Sequence, residues 1–161
     1  MDIFEAAYEA NRNGRAFTLP FDALDPAGAD DFVGYIRNDA GAGDIIVWKF
    51  RGLVSGADST IELCTVTAIE PTGTFIANEG VSMSGGGGLA ATVKSSLNIT
   101  AIAAATVVKH FEMDSTQLVE QEFIMHEGYR IPPGKNVALR IETGTSILTG
   151  SLDFFFEPEK H

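Results

Sequence analysis

From Phe32 onward, apolar and polar residues alternate with a period of two in several stretches of the chain. Such alternation predicts β-strands that bury one face and leave the other in water. Four stretches show it: Ile46, Trp48 and Phe50 opposite Lys49 and Arg51; Val119, Phe123 and Met125 opposite Glu120, Glu122 and His126; Val137, Leu139 and Ile141 opposite Arg140 and Glu142; and Leu148, Leu152, Phe154 and Phe156 opposite Thr149, Ser151, Asp153 and Glu157.

Strands with one buried face favour antiparallel sheets that pack on one another. No later segment has the amphipathic helix that a parallel crossover needs. We therefore predict an all-β fold, an antiparallel β-sandwich or jelly roll, over residues 32–161. The segment from Ile99 to Val108 fits a buried strand pair or a buried helix, and its β-branched residues favour strands.

The first 31 residues follow a different pattern. Asp2 and Glu5 are spaced like an N-cap and its capping-box partner, and Gly14 is a stop signal. Residues 1–31 are thus predicted to form an N-terminal arm, with a short helix followed by an irregular segment. The apolar residues at helical spacing are Ile3, Phe4, Ala7 and Tyr8.

The length and charge of the chain limit the number of domains and the classes of partner that it can have. The chain has 161 residues, 45% of them hydrophobic, which suits one domain with a substantial core. Its formal charge is −11, and its basic residues are scattered, so we expect no nucleic-acid partner. No apolar run reaches 18 residues and the first residues do not resemble a signal peptide. We therefore expect no membrane partner, and synthesis in the cytoplasm, where the protein stays or which it leaves by cell lysis.

Residues that usually carry chemistry lack the spacing that chemistry requires. Cys64 lies in a strand-like run and is predicted to be a small buried side chain. The glycine run 85–88 is followed by Leu89 instead of the Lys-Ser or Lys-Thr pair of a phosphate-binding loop. His110 and His126 have no ligand spacing to another histidine, and His126 is predicted to be a surface residue.

We accordingly predict no catalytic residue, no metal site and no cofactor, and expect a protein that is not an enzyme. One alternative stays open for the acidic segment 22–31. Its aspartates do not match the EF-hand spacing, but they are oxygen ligands of the kind that a weak structural calcium ion takes.

The C-terminal third carries a resemblance to a known group of proteins. Pro133-Gly134 suits a type II turn that leads into the strand ending at Ile141. The run 127–141, followed by 149–157, resembles the closing strands of small jelly-roll virion proteins of tailed bacteriophages, of the capsid decoration and cement type. The resemblance implies a homo-oligomer, with a trimer favoured, that binds the major capsid protein on the capsid surface.

Five residues are candidates for the interface of such a protein: Ile3, Phe4, Tyr8, Ile147 and Phe155. Ile147 and Phe155 are apolar residues on otherwise polar faces, and they fit either a subunit interface or packing inside the chain. A carbohydrate- or receptor-binding tail or fibre module is the alternative function, although the place of Trp48 in an alternating strand indicates core. A cupin-like enzyme would need a spaced His/Glu cluster, which the sequence lacks.

Overall fold

The computed structural model describes residues 1–24, 31–66, 74–77, 81–82, 91–99, 105–142 and 146–158. These ranges contain one helix, α1 (Ile3–Arg12), and a series of antiparallel strands. The strands are β1 (Ala16–Leu24), β2 (Asp31–Asn38), β3 (Asp44–Ser55), β4 (Ser59–Val66), β5 (Thr74–Ala77), β6 (Val81–Ser82), β7 (Ala91–Ile99), β8 (Ala105–Met113), β9 (Gln121–Ile131), β10 (Asn136–Ile141) and β11 (Ile147–Glu157).

The strands form two sheets packed as a sandwich. The five-stranded sheet has the order β6-β1-β11-β3-β9, and the six-stranded sheet has the order β5-β7-β2-β10-β4-β8. Without β5, β6 and β7, two four-stranded sheets remain, β1-β11-β3-β9 and β2-β10-β4-β8. Consecutive strands of these eight alternate between the sheets except for β4 and β8, which pair with each other in one sheet. This is the order of a jelly roll. The predicted all-β sandwich is therefore confirmed.

Aromatic and aliphatic side chains from both sheets fill the space between them. Phe50 of β3 lies at the centre, with its ring centroid 4.9 Å from that of Phe111 and 6.1 Å from that of Phe123. Phe17 stacks on Phe154 across β1 and β11 at 5.8 Å. The inward side chains of β10 are Val137, Leu139 and Ile141, and those of β11 include Leu148, Leu152 and Phe154, as their alternation predicts.

Helix α1 begins and ends as the sequence predicts. Asp2 Oδ1 accepts a hydrogen bond from the Glu5 amide at 2.9 Å, and Glu5 Oε2 accepts one from the Asp2 amide at 3.2 Å. This reciprocal pair is a capping box. Asn13 forms the C-cap, and Gly14 follows with a φ of +70°.

The helix packs on the outer face of the five-stranded sheet. This contact buries seven apolar residues, which we call the helix-covered patch: Ile3, Ala7, Ala10, Ala16, Ile46, Trp48 and Phe155. The predicted arm boundary at residue 32 does not separate structural layers. β1 pairs with β11 from Ala16 to Leu24, so it belongs to the sandwich and not to an irregular segment.

One predicted face assignment is wrong. Ile46 and Trp48 do not share a face with Phe50, because the pairing of β3 with β11 shifts between Val47 and Lys49. Trp48 is an extra residue at this bulge, so it points outward together with Ile46 and Lys49. Phe50 points inward with Ile45 and Val47. A β-bulge thus gives β3 apolar side chains for both faces of the sheet.

The other strand predictions have mixed outcomes. β8 confirms a strand at 105–108, but Thr106 and Val108 are exposed and not buried as predicted. Residues 100–104 and the glycine run 85–88 lie outside the described residues. Phe123 and Met125 face the core as expected. Val119, however, precedes β9 and is exposed. Gly134 adopts a φ of +74°, and the Lys135 amide donates to Pro132 O at 3.0 Å, which fits the predicted type II turn.

Gly128 sits under the helix at a φ of +65°, where an added Cβ would lie 2.5 Å from Ile46 Cγ2 and 3.2 Å from Ile3 Cδ1. We expect Gly128→Ala to lower the free energy of unfolding by about 2–3 kcal/mol, because backbone strain and the clash act together. Gly134→Ala is the matched control, since Gly134 has a similar φ of +74° and no atom within 4 Å of the added Cβ. If chemical denaturation shows that both variants lose the same free energy of unfolding, the clash at Gly128 is contradicted.

Candidate interaction surface

The outer side of α1 carries two partly exposed aromatic rings. Phe4 is 46% exposed and Tyr8 is 64% exposed. Phe4 packs edge-on against Trp48 with centroids 5.9 Å apart, and it also contacts the ring of the exposed His126 at 6.1 Å. Phe4 therefore covers Trp48 and leaves its own outer edge in solvent.

The predicted interface residues do not form one surface. Ile3 and Phe155 are buried between α1 and the sheet. Phe155 therefore packs inside the chain, which was the alternative to a subunit interface. Ile147 is 38% exposed at the start of β11, opposite Ser55 of β3. Phe4 and Tyr8 lie together on the helix. Their part in an interface stays a prediction.

A second apolar feature was not singled out from the sequence. It lies in the connection between β8 and β9, residues 114–120, which we call the β8–β9 loop. Leu118 is 94% exposed and Val119 is 70% exposed at adjacent positions of this loop. Two neighbouring aliphatic side chains in solvent are unusual in a loop that is otherwise polar.

Hydrogen bonds hold the base of this loop. Asp114 Oδ1 accepts from the Thr116 amide at 2.8 Å and from the Thr116 hydroxyl at 2.7 Å. The Asp114 amide donates to Gln121 Oε1 at 3.0 Å. The Ser115 amide and hydroxyl both donate to Asp58 Oδ1, at 2.8 and 2.9 Å. The β3–β4 turn and the loop are therefore fastened to each other, and the exposed tip has a defined position.

These bonds make the loop sensitive to acid. The Thr116 hydroxyl and amide, followed by Gln117, hold the pKa of Asp114 below its ordinary value of 3.8. A depressed carboxyl pKa contributes stability above its unfolded value, and that contribution is lost as the pH falls through the folded value. We expect amide exchange at Thr116 to accelerate below about pH 3.8 relative to the intrinsic rate. Asp114→Asn should remove this pH dependence, and an unchanged profile would contradict the assignment.

Two buried carboxylates lie on the outer faces of the sheets. Asp153 is fully buried, accepts a hydrogen bond from the Thr18 hydroxyl at 2.8 Å, and lies 3.2 Å from Lys49 Nζ and 3.8 Å from Arg51 Nη2. On the other sheet, Glu62 is bonded by Arg140 Nε and lies 3.6 Å from His110 Nδ1. Both carboxylates are thus matched by cations in ion pairs across strands.

The described side chains include no group of three His, Cys, Asp or Glu residues that could hold a metal ion. His110 and His126 lie in different sheets, and Cys64 is buried with its Sγ 3.8 Å from Glu62 O. The side chains of the acidic segment 22–31 lie outside the described residues. No helix in the described ranges has the length and apolar character needed to cross a membrane.

An open groove of about 780 Å³ lies between α1 and the nearby ends of β9 and β11. Its two guanidinium groups are engaged: Arg15 Nη1 donates to Phe156 O at 2.7 Å, and Arg130 Nη1 donates to Glu157 at 2.6 Å and to Asp44 at 3.1 Å. The bond to Glu157, above all, raises the pKa of Arg130. The groove lining also includes the acidic residues Asp2, Glu9, Glu127 and Glu157.

No family model, curated protein or solved structure matches the chain. The fold alone does not assign a function, because jelly rolls occur in capsid proteins, lectins and enzymes. The functional argument therefore depends on what the described surfaces present to a partner.

Proposed function

We propose that the protein is a structural protein of a bacteriophage particle, of the capsid decoration or cement type, that binds the head lattice and stabilises it. The observation that carries this proposal is the pair of exposed aliphatic side chains, Leu118 and Val119, held on an ordered loop of a rigid sandwich. Such a surface suits adhesion to another protein, because an ordered loop loses little conformational entropy on binding and because its apolar area can be buried.

A lattice protein needs more than one adhesive surface, since each copy contacts both the shell and its own sister copies. The helix presents Phe4 and Tyr8, and Phe4 lies over Trp48 of β3. The β8–β9 loop is fastened beyond the end of β3, through Asp58. Strand rise puts Trp48 and the end of β3 at Ser55 roughly 23 Å apart, so the two surfaces can serve different neighbours. This arrangement supports a homo-oligomer on the major capsid protein, and the preference for a trimer follows from the resemblance to decoration proteins.

The charge of the chain supports a place on the outer capsid surface. A formal charge of −11 repels the packaged nucleic acid on the inside of the shell. The alternative function, a carbohydrate- or receptor-binding module, has weaker support. Trp48 is the one tryptophan of the chain, and it is buried beneath Phe4 instead of being presented to a sugar.

Sedimentation with virus particles tests the proposal. Particles of the encoding virus that lack the protein should bind added protein to a fixed copy number, and particles that already carry it should bind no more. Light scattering after size exclusion should give a defined oligomer. Protein that stays in the supernatant at all concentrations, together with binding to a glycan array, would replace this function with the alternative.

A further inference from the structure

We propose that Leu118 and Val119 are the docking contact of this protein, and that they insert into an apolar pocket of a different protein whose rim carries Lys or Arg side chains. This inference rests on the proposed function, in which the partner is the major capsid protein. It adds the position of the contact, its chemistry and the charge of the surface that receives it.

The first argument is exposure combined with order. Leu118 and Val119 are more exposed than Ile147 or Val108, which are each 38% exposed. The loop that carries them is anchored by Asp114 and by the bonds from Ser115 to Asp58. An anchored pair of aliphatic side chains loses little conformational freedom when it binds. Hence most of the free energy of burying the two side chains contributes to affinity.

The second argument is the charge around the tip. The segment from Glu112 to Glu122 contains four acidic residues, Glu112, Asp114, Glu120 and Glu122, and no basic residue. Asp58 adds a further carboxylate at the base of the loop. Complementary charge across an interface speeds association and selects partners. The pocket that receives this tip is therefore expected to have a basic rim.

The third argument compares the grooves that a second copy of the chain would offer to the loop. The groove beside α1 combines apolar lining with room for two aliphatic side chains. Its carboxylates would repel the acidic loop, and its two arginines are engaged by Phe156 O, Asp44 and Glu157. A further groove of about 440 Å³, at the turn between β9 and β10, has Arg130 and Lys135 and no carboxylate among the described residues of its lining. The choice of a different protein as the partner therefore follows from the proposed function, and the oligomeric state of the double variant separates it from a second copy.

The test uses the double variant Leu118→Ser/Val119→Ser in the full chain. It should unfold at the same temperature as the wild type, since both side chains are in solvent. Binding to particles that lack the protein should weaken by about 150-fold or more, which corresponds to losing the burial of two aliphatic side chains. The matched control Val108→Ser, at a position 38% exposed on β8, should bind within about twofold of the wild type.

Charge is tested separately with Glu120→Lys, which changes an exposed residue beside the tip. It should slow association with the particles by several-fold, and raising the salt concentration should reduce the difference from the wild type. Faster association of Glu120→Lys than of the wild type would overturn the basic rim.

The outcomes separate this inference from the proposed function. If the wild type and the double variant bind the particles equally, the docking contact is wrong while the proposed function stands. If the wild type does not bind, both are wrong. If light scattering shows that the double variant loses the oligomeric state of the wild type, the loop joins copies of this chain. The proposal that its partner is a different protein is then overturned.

Discussion

Phe50→Ala is expected to lower the free energy of unfolding by about 3–5 kcal/mol, the usual range for removing a buried aromatic ring. Phe50 is fully buried between the sheets and contacts Phe111 and Phe123. The Phe50 ring also packs closely over Gly52 of the same strand, since a Cβ added at Gly52 would lie 2.8 Å from Phe50 Cζ. Since the neighbouring strands are paired on both sides of β3, the cavity left by alanine cannot close by a local shift.

Urea denaturation followed by the fluorescence of Trp48, the one tryptophan, measures this loss directly. Tyr8→Ala is the control, because Tyr8 is 64% exposed and its removal should cost about 0.5 kcal/mol or less. If Phe50→Ala costs no more than Tyr8→Ala, the placement of Phe50 at the centre of the core is wrong.

Asn38→Ala is expected to cost about 2–4 kcal/mol, a large effect for a polar residue, because it leaves buried backbone groups without partners. Asn38 is fully buried at the end of β2. Its Nδ2 donates to Gly43 O at 3.0 Å and to Ile131 O at 2.8 Å, and its Oδ1 accepts from the Ala40 amide at 3.0 Å. One side chain therefore joins the β2–β3 turn to the end of β9.

The same denaturation experiment checks this prediction, with Asn13→Ala as the control. Asn13 is exposed, and its side chain donates to Glu9 O at 2.8 Å at the end of α1. Removing it should cost about 1 kcal/mol or less, since water replaces the lost bond. Similar losses for the two variants would show that Asn38 does not join the turn and the strand as described.

Much of the fold was predictable because the determining signals are local. The inward positions of strands β10 and β11 recur with a period of two, and one face of each strand meets the core. The capping box at Asp2 and Glu5 and the turn at Pro133-Gly134 depend on residues only a few positions apart. The order of strands in the sheets was not predictable, because it depends on pairing between distant segments such as β1 and β11.

The wrong face assignment in β3 has an equally physical cause. Ile45, Ile46, Val47 and Trp48 are all apolar, so their sequence does not show where the alternation breaks. The bulge becomes visible only when the partner strand is known. Asn38 was missed for a related reason, since its partners Gly43 and Ile131 come together only in the fold.

The candidate site was harder to predict than the fold. Val119 looked like the first inward residue of a strand, because Phe123 and Met125 continue its alternation. The structure starts β9 at Gln121, and the bonds of Asp114 and Ser115 turn the preceding residues into a loop. The exposure of a side chain depends on tertiary packing, so the sequence alone does not show that two adjacent apolar residues lie in solvent.

The bulge at Trp48 also bears on how the chain tolerates changes in its length. Val47 pairs with Phe154 and Lys49 pairs with Asp153, so the ladder with β11 would be continuous if Trp48 were deleted. The pairing with β9 is interrupted at the same place, where Val47 pairs with Tyr129 and Lys49 with Ile124. Inward residues such as Phe50 would keep their places, whereas the helix-covered patch would lose Trp48, its largest side chain. Deletion of Trp48 should therefore weaken the attachment of α1 while the pairing of β3 with β11 and the inward position of Phe50 are kept.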